Sequence, residues 1–279
     1  MEKILFVTDA IKMNIKSLDF AAFLCELSHS KLTGIFLENL GQEHRSAEAV
    51  KQAAMMSGTS ATAEGMTDIK EQCCEDNIRQ FIDACDRRGI NSVAHRDRGI
   101  PYEEIITESR YADLLLIDAE TSFSDKMEEI PTNFVKNILS DAECPVVILP
   151  VAFGGIEQLV FTVDGKPSSV YAIKQFTYLF PELREQQVVV ISVNEEEVMP
   201  DADERYKLKE WLHMHYKNVD FITTEGNVKA GLLELLLSRS KAFIVMGAYG
   251  RSAFSSLFNP SHAQSVLKMV SQPVFIAHH

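Results

Sequence analysis

Apolar and polar positions alternate in blocks along this chain, and the blocks come round twice. Ile4-Leu5-Phe6-Val7-Thr8-Asp9 is an apolar run closed by an aspartate, and Leu159-Val160-Phe161-Thr162-Val163-Asp164 repeats it. Ala112-Asp113-Leu114-Leu115-Leu116-Ile117 is answered by Ala242-Phe243-Ile244-Val245-Met246. Cys144-Pro145-Val146-Val147-Ile148-Leu149 is answered by Gln272-Pro273-Val274-Phe275-Ile276-Ala277. Three landmarks in one order mark an internal duplication.

Between the landmarks the period changes from continuous apolar runs to helical spacing. In the first copy the pattern predicts strands at 3–9, 31–38, 91–97, 113–118 and 145–150. Helices are predicted at 16–29, 68–88, 102–111 and 130–140. Leu18, Ala21, Ala22, Leu24, Cys25 and Leu27 form the apolar stripe of the first helix. Ile69, Cys73, Ile78, Phe81, Ile82 and Cys85 form that of the second. The second copy predicts strands at 157–164, 187–193, 218–224, 242–247 and 273–278, with helices at 168–180, 201–216, 228–239 and 260–270. Strands separated by helices pair in parallel through right-handed crossovers. Runs such as Leu114-Leu115-Leu116-Ile117 read as strands buried on both faces. The expected architecture is α/β: two tandem doubly wound domains, 1–152 and 153–279, each with a five-stranded parallel sheet. The strands at 145–150 and 273–278 would otherwise be exposed edges, and their pairing would make an intramolecular pseudo-two-fold dimer. A further homodimer is compatible with the sequence.

The copies differ in length. Asp9 to Pro145 spans 136 positions and Asp164 to Pro273 spans 109, so the first copy carries 27 more. The surplus falls at 39–66, a stretch rich in Ala, Ser, Thr, Glu and Met that reads as a surface insertion.

Composition narrows the function. The chain has 279 residues and a net charge of −13, which argues against nucleic-acid binding through basic patches. No run is long and apolar enough to span a membrane. Met1-Glu2-Lys3-Ile4 enters a strand at once, so no secretory leader is read and a cytoplasmic location is expected. The five cysteines include no Cys-x-x-Cys pair and read as reduced thiols, with one of Cys73 and Cys74 turned to the core. No metalloprotease, nucleophile-elbow or Gly-Lys-Ser/Thr motif is present, and His213 and His215 are two apart on a helix and share no face. No catalytic or metal site is expected.

The candidate chemistry lies after the strand 242–247. Gly247-Ala248-Tyr249-Gly250 is followed, after nine residues, by Pro260-Ser261 opening a helix. Glycines at a strand end let backbone approach a ligand, and a helix N-terminus attracts phosphate. Asp164 ends the first strand on the same sheet edge, where open α/β sheets bind ligands.

On these motifs, with the tandem order, the Cys-Pro-Val-Val-Ile-Leu ending and Gly99-Ile100-Pro101-Tyr102-Glu103-Glu104-Ile105-Ile106, the chain resembles the universal stress protein family over essentially its whole length. The resemblance implies the strand order 3-2-1-4-5 of the adenine nucleotide alpha hydrolase-like fold, with domains joined through their last strands. It also implies an ATP site, with Mg, in the second copy. Asp164 would contact the adenosine, Val193 the base, and Gly247, Gly250 and Ser261 the phosphates. Gly226 and Asn227 would approach the nucleotide after the third strand, and Arg251 and His262 would add positive charge. The family pattern has a third glycine where this chain has Pro260. Proline lacks an N–H, so one donor, worth about 1 kcal/mol, is lost. Asn259-Pro260 still makes a good helix start. In the first copy Asp118-Ala119-Glu120-Thr121 replaces the glycines and sets two carboxylates where phosphates would lie, so no nucleotide is expected there. Asp9 is then a strand-end residue capping its turn. Three functions fit: a nucleotide-responsive stress module without catalysis, a nucleotide-independent scaffold for an unknown protein partner, and a carrier of another small, apolar ligand.

Overall fold

Every strand foreseen from the apolar runs forms in the computed structural model, which describes residues 1–39, 63–124, 126–163, 165–192, 202–223, 239, 241–247 and 271–277. The strands are β1 (Lys3–Asp9), β2 (Lys31–Asn39), β3 (Ser92–Gly99), β4 (Leu114–Ile117) and β5 (Val146–Ile148), then β6 (Gln158–Val163), β7 (Gln187–Ser192), β8 (Asn218–Thr223), β9 (Ala242–Gly247) and β10 (Val274–Ala277). The described helices are α1 (Leu18–Ser28), α2 (Ala63–Arg87), α3 (Pro101–Ser109), α4 (Asn133–Asp141), α5 (Pro167–Leu179) and α6 (Ala202–His215). The helices foreseen at 228–239 (its last residue apart) and 260–270, and most of the 39–66 insertion, lie outside the described residues.

Tertiary contacts divide the chain into two compact units, Met1–Glu143 and Cys144–His279. In the first, the sheet order is β3-β2-β1-β4 and every pairing is parallel. In the second, the order is β5-β10-β9-β6-β7-β8. Its own five strands, read from β8 to β10, give the doubly wound order 3-2-1-4-5 in full. β5 adds itself antiparallel to β10, with Phe275 opposite Val147, so the last strands of the two repeats pair as expected. This pairing places β5 in the compact unit of the second repeat.

The apolar runs end up where two-sided burial requires. Leu114, Leu115, Leu116 and Ile117 are all fully buried, as are Phe243, Ile244, Val245 and Met246 of β9. In the first unit Phe81 of α2 packs on Phe6 and Phe36 with ring centroids 5.8 and 5.5 Å apart. In the second, Phe176 of α5 gathers Phe161, Phe243 and Phe275 at 5.8, 4.9 and 5.3 Å.

Three details differ from the sequence reading. α2 starts at Ala63, inside the stretch read as insertion. Cys74, not Cys73, joins Phe81, Ala84 and Cys85 in the core, because the helix turns its buried stripe one residue round. Leu27 and Ala22 are only half-buried on α1, while Phe20 takes a core place.

Candidate functional site

Strand order in the second unit reverses between β6 and β9. The chain winds from β6 out to β8, then returns to β9 on the other side of β6. Crevices at such reversals, on the C-terminal edge, are where open α/β sheets take ligands. β6 ends there at Val163 and β9 at Gly247. After β6 the chain turns through Gly165, whose φ of +77° suits a residue without Cβ. Lys166 then leads into α5, with Pro167 at its first turn.

Gly247 has a packing role at this crevice. A Cβ there would stand 2.6 Å from the Ser169 nitrogen and 2.7 Å from the Ser168 carbonyl carbon. The missing side chain lets the first turn of α5 close onto the end of β9. That brings a helix N-terminus, with its partial positive charge, to the reversal point.

The first repeat solves the same junction differently. Ile4 pairs with Leu114 as Leu159 pairs with Phe243, so Asp118 holds the place of Gly247. Its Oδ2 accepts hydrogen bonds from Asn14 Nδ2 at 2.9 Å and Ser17 Oγ at 3.3 Å, and its Oδ1 accepts from the Glu120 N–H at 3.0 Å. The start of the first helix is thus already served by a carboxylate of the protein. Asp9 Oδ1 accepts from the Ile11 N–H at 2.8 Å and caps its own turn. The nearby ends of β2 and β3 are closed by ion pairs. Arg96 pairs with Glu38 and grips Glu71 with two nitrogens at 2.7 and 3.0 Å, and Arg98 reaches both carboxylates. These bonds hold the Glu71 carboxyl below its usual range.

The second unit also has an open groove, of about 430 Å³, between α5, α6 and the sheet. Val190 and Phe221 form its floor, and Val170, Leu208 and Trp211 its walls. Lys166, Lys174, Arg205 and Lys207 stand round it with one carboxylate, Glu204. One end of the groove reaches Val163 and Gly165, beside the reversal point.

No family model matches the sequence, and no curated protein matches it. Solved structures match its fold. A universal stress protein from Archaeoglobus fulgidus DSM 4304 matches 99% of this chain with 96% of its own, at a TM-score of 0.68 and 15% identity. The fold is that of the universal stress proteins. A putative universal stress protein from Pseudomonas aeruginosa UCBPP-PA14 matches 99% of the chain with 92% of its own, at a TM-score of 0.55 and 14% identity. A functionally unknown protein from Pseudomonas aeruginosa PAO1 matches with the same coverage, TM-score and identity.

Of the residues the universal stress resemblance assigns to a nucleotide, only Gly247 lies among the described ones. Asp164, Val193, Gly226, Asn227, Gly250, Arg251, Pro260, Ser261 and His262 lie outside them. Among the described residues, no cluster of three or more His, Cys, Asp or Glu is placed to hold a metal ion. No described helix is long and apolar enough to cross a membrane. The sequence reading missed the groove. Its signal lay in the comparison of the copies, where Phe36 and Gly34 of β2 correspond to Ser192 and Val190 of β7.

Proposed function

We propose that the chain is a non-catalytic, adenine-nucleotide-responsive module of the universal stress type, with its nucleotide site in the second repeat only. The observation that carries this reading is the meeting of Gly247 with the first turn of α5 at the point where strand order reverses. That edge offers a helix N-terminus, a backbone free of Cβ, and Lys166 at the entrance of α5. The sequence adds Asp164, Gly250 and Ser261 to the same edge, with Mg accompanying ATP. Val193, Gly226, Asn227, Arg251 and His262 complete the proposed contacts.

The first repeat is proposed as scaffold. Its equivalent position is Asp118, whose carboxylate already takes the donors at the start of the helix. A phosphate there would have to displace that carboxylate and face its charge. Binding of Mg-ATP, with loss of binding on changes in the second repeat and none on changes in the first, tests the assignment.

A further inference from the structure

The two repeats are packed differently at one place, and the register shows why. Phe6 pairs with Gly34 as Phe161 pairs with Val190, and Gly34 pairs with Ala94 as Val190 pairs with Phe221. Two residues on, Thr8 pairs with Phe36 as Val163 pairs with Ser192. In the first repeat Phe81 drops onto Gly34, its ring atoms 2.8 Å from where a Cβ would be, and is held between Phe6 and Phe36. Phe81 is fully buried there.

In the second repeat the ring against Phe161 is instead that of Tyr216, which follows α6, with centroids 5.5 Å apart. On α6, Leu208 and Trp211 line this place. Ser192 replaces Phe36, Val190 blocks the seat that Gly34 provides, and the groove opens between α5 and α6. Its rim is cationic although the chain as a whole carries −13: among the described residues, four basic side chains line it against one carboxylate. Lys174, Arg205 and Lys207 make no ion pair with a described residue. An apolar floor under a cationic rim is complementary to a molecule with an apolar body and an anionic head.

We propose that the α5–α6 groove of the second repeat binds a small amphipathic anion, an apolar chain or ring ending in a carboxylate. The apolar body would lie over Val190 and Phe221, beside Leu208 and Trp211. The carboxylate would sit at the rim formed by Lys174, Arg205 and Lys207. This site goes beyond the nucleotide reading and does not rest on it.

Trp211 is the single tryptophan of the chain and lines the groove, so its fluorescence reports occupancy directly. The experiment titrates the full-length protein with decanoate, kept below its micellar range, and in parallel with decan-1-ol. Saturable change in Trp211 emission with decanoate, and weaker binding of the alcohol, is expected. Leu208→Phe and Ser192→Phe, which put an aromatic ring into the groove, should each weaken decanoate binding about tenfold or more. Lys174→Glu and Lys207→Glu, both on exposed positions, should weaken decanoate by about fivefold and leave decan-1-ol unchanged. A melting curve for each variant identifies any that fails to fold. The proposal is overturned by absence of saturable binding, by equal binding of acid and alcohol, or by full binding in folded Leu208→Phe and Ser192→Phe proteins. Mg-ATP is titrated separately: decanoate binding without ATP binding supports the groove and removes the nucleotide reading, and the converse overturns the groove alone.

Discussion

Phe81 occupies the space that a side chain on Gly34 would need, with two ring atoms 2.8 Å from an ideal Cβ. Phe6 and Phe36 close the ring in on either side, so it has little room to yield. Gly34→Ala is therefore expected to destabilise the first unit by about 1–3 kcal/mol. In urea the unfolding midpoint should fall with little change in slope. An unchanged midpoint would mean that the ring can move aside.

Gly247 meets backbone instead of a ring, and backbone gives less. Gly247→Ala should cost about 1–3 kcal/mol in the absence of any ligand, read as a lower melting temperature of the ligand-free protein. A variant with unaltered melting but weakened nucleotide binding would assign Gly247 to the ligand and remove its packing role.

The Glu38, Glu71, Arg96 and Arg98 network ties α2 to β2 and β3. Its arginines lower the Glu71 carboxyl below its usual range. A depressed carboxyl contributes stability that is present above its unfolded value and lost as pH falls through that value and below. Arg96→Met should thus lower stability at pH 7. Its loss of stability from pH 6 to pH 4 should be smaller than that of the parent. Urea titrations at the three pH values check both, and parallel pH curves would contradict the assignment.

Burial raises several groups at the alkaline end, among them Cys25 to about 12, Cys74 to about 11 and Tyr216 to about 12. Between the ordinary thiol value of 9.0 and the raised ones, the unfolded chain has lost protons that the folded chain keeps. The folded state therefore loses stability as pH climbs through this window, with a slope of at most about 1.4 kcal/mol per pH unit for Cys25. Cys25→Ala should flatten the decline between pH 9 and 11 as measured by chemical denaturation. In the same range Cys25 should resist alkylation until the protein unfolds.

The elements most legible in the sequence were those with two-sided burial. Leu114–Ile117 and Ala242–Gly247 lie within a residue of their foreseen limits because a continuous apolar run has one consistent reading. The start of α2 was less legible, since nothing in the small and polar residues near 63 marks a boundary. The choice between Cys73 and Cys74 depends on the rotation of one helix by a single position, which two adjacent thiols cannot reveal. The duplication announced itself in the runs, but its functional asymmetry at the groove required register. That Phe36 answers to Ser192, and Gly34 to Val190, follows only once the strand pairs are known. Asp118 was read correctly as a carboxylate at the strand end. Its bonds to Asn14 and Ser17, a hundred positions away, carry no local signature. Of the residues expected to contact a nucleotide, Gly247 alone lies among the described ones, and the contacts themselves rest on the motif.

The measurement that bears most directly on the account is calorimetric titration of the intact protein with Mg-ATP, run beside Gly250→Asp and Asp118→Ala. The account predicts one site per chain, abolished in Gly250→Asp and unchanged in Asp118→Ala. No heat of binding in the parent protein, or binding that survives Gly250→Asp, would contradict a nucleotide site in the second repeat.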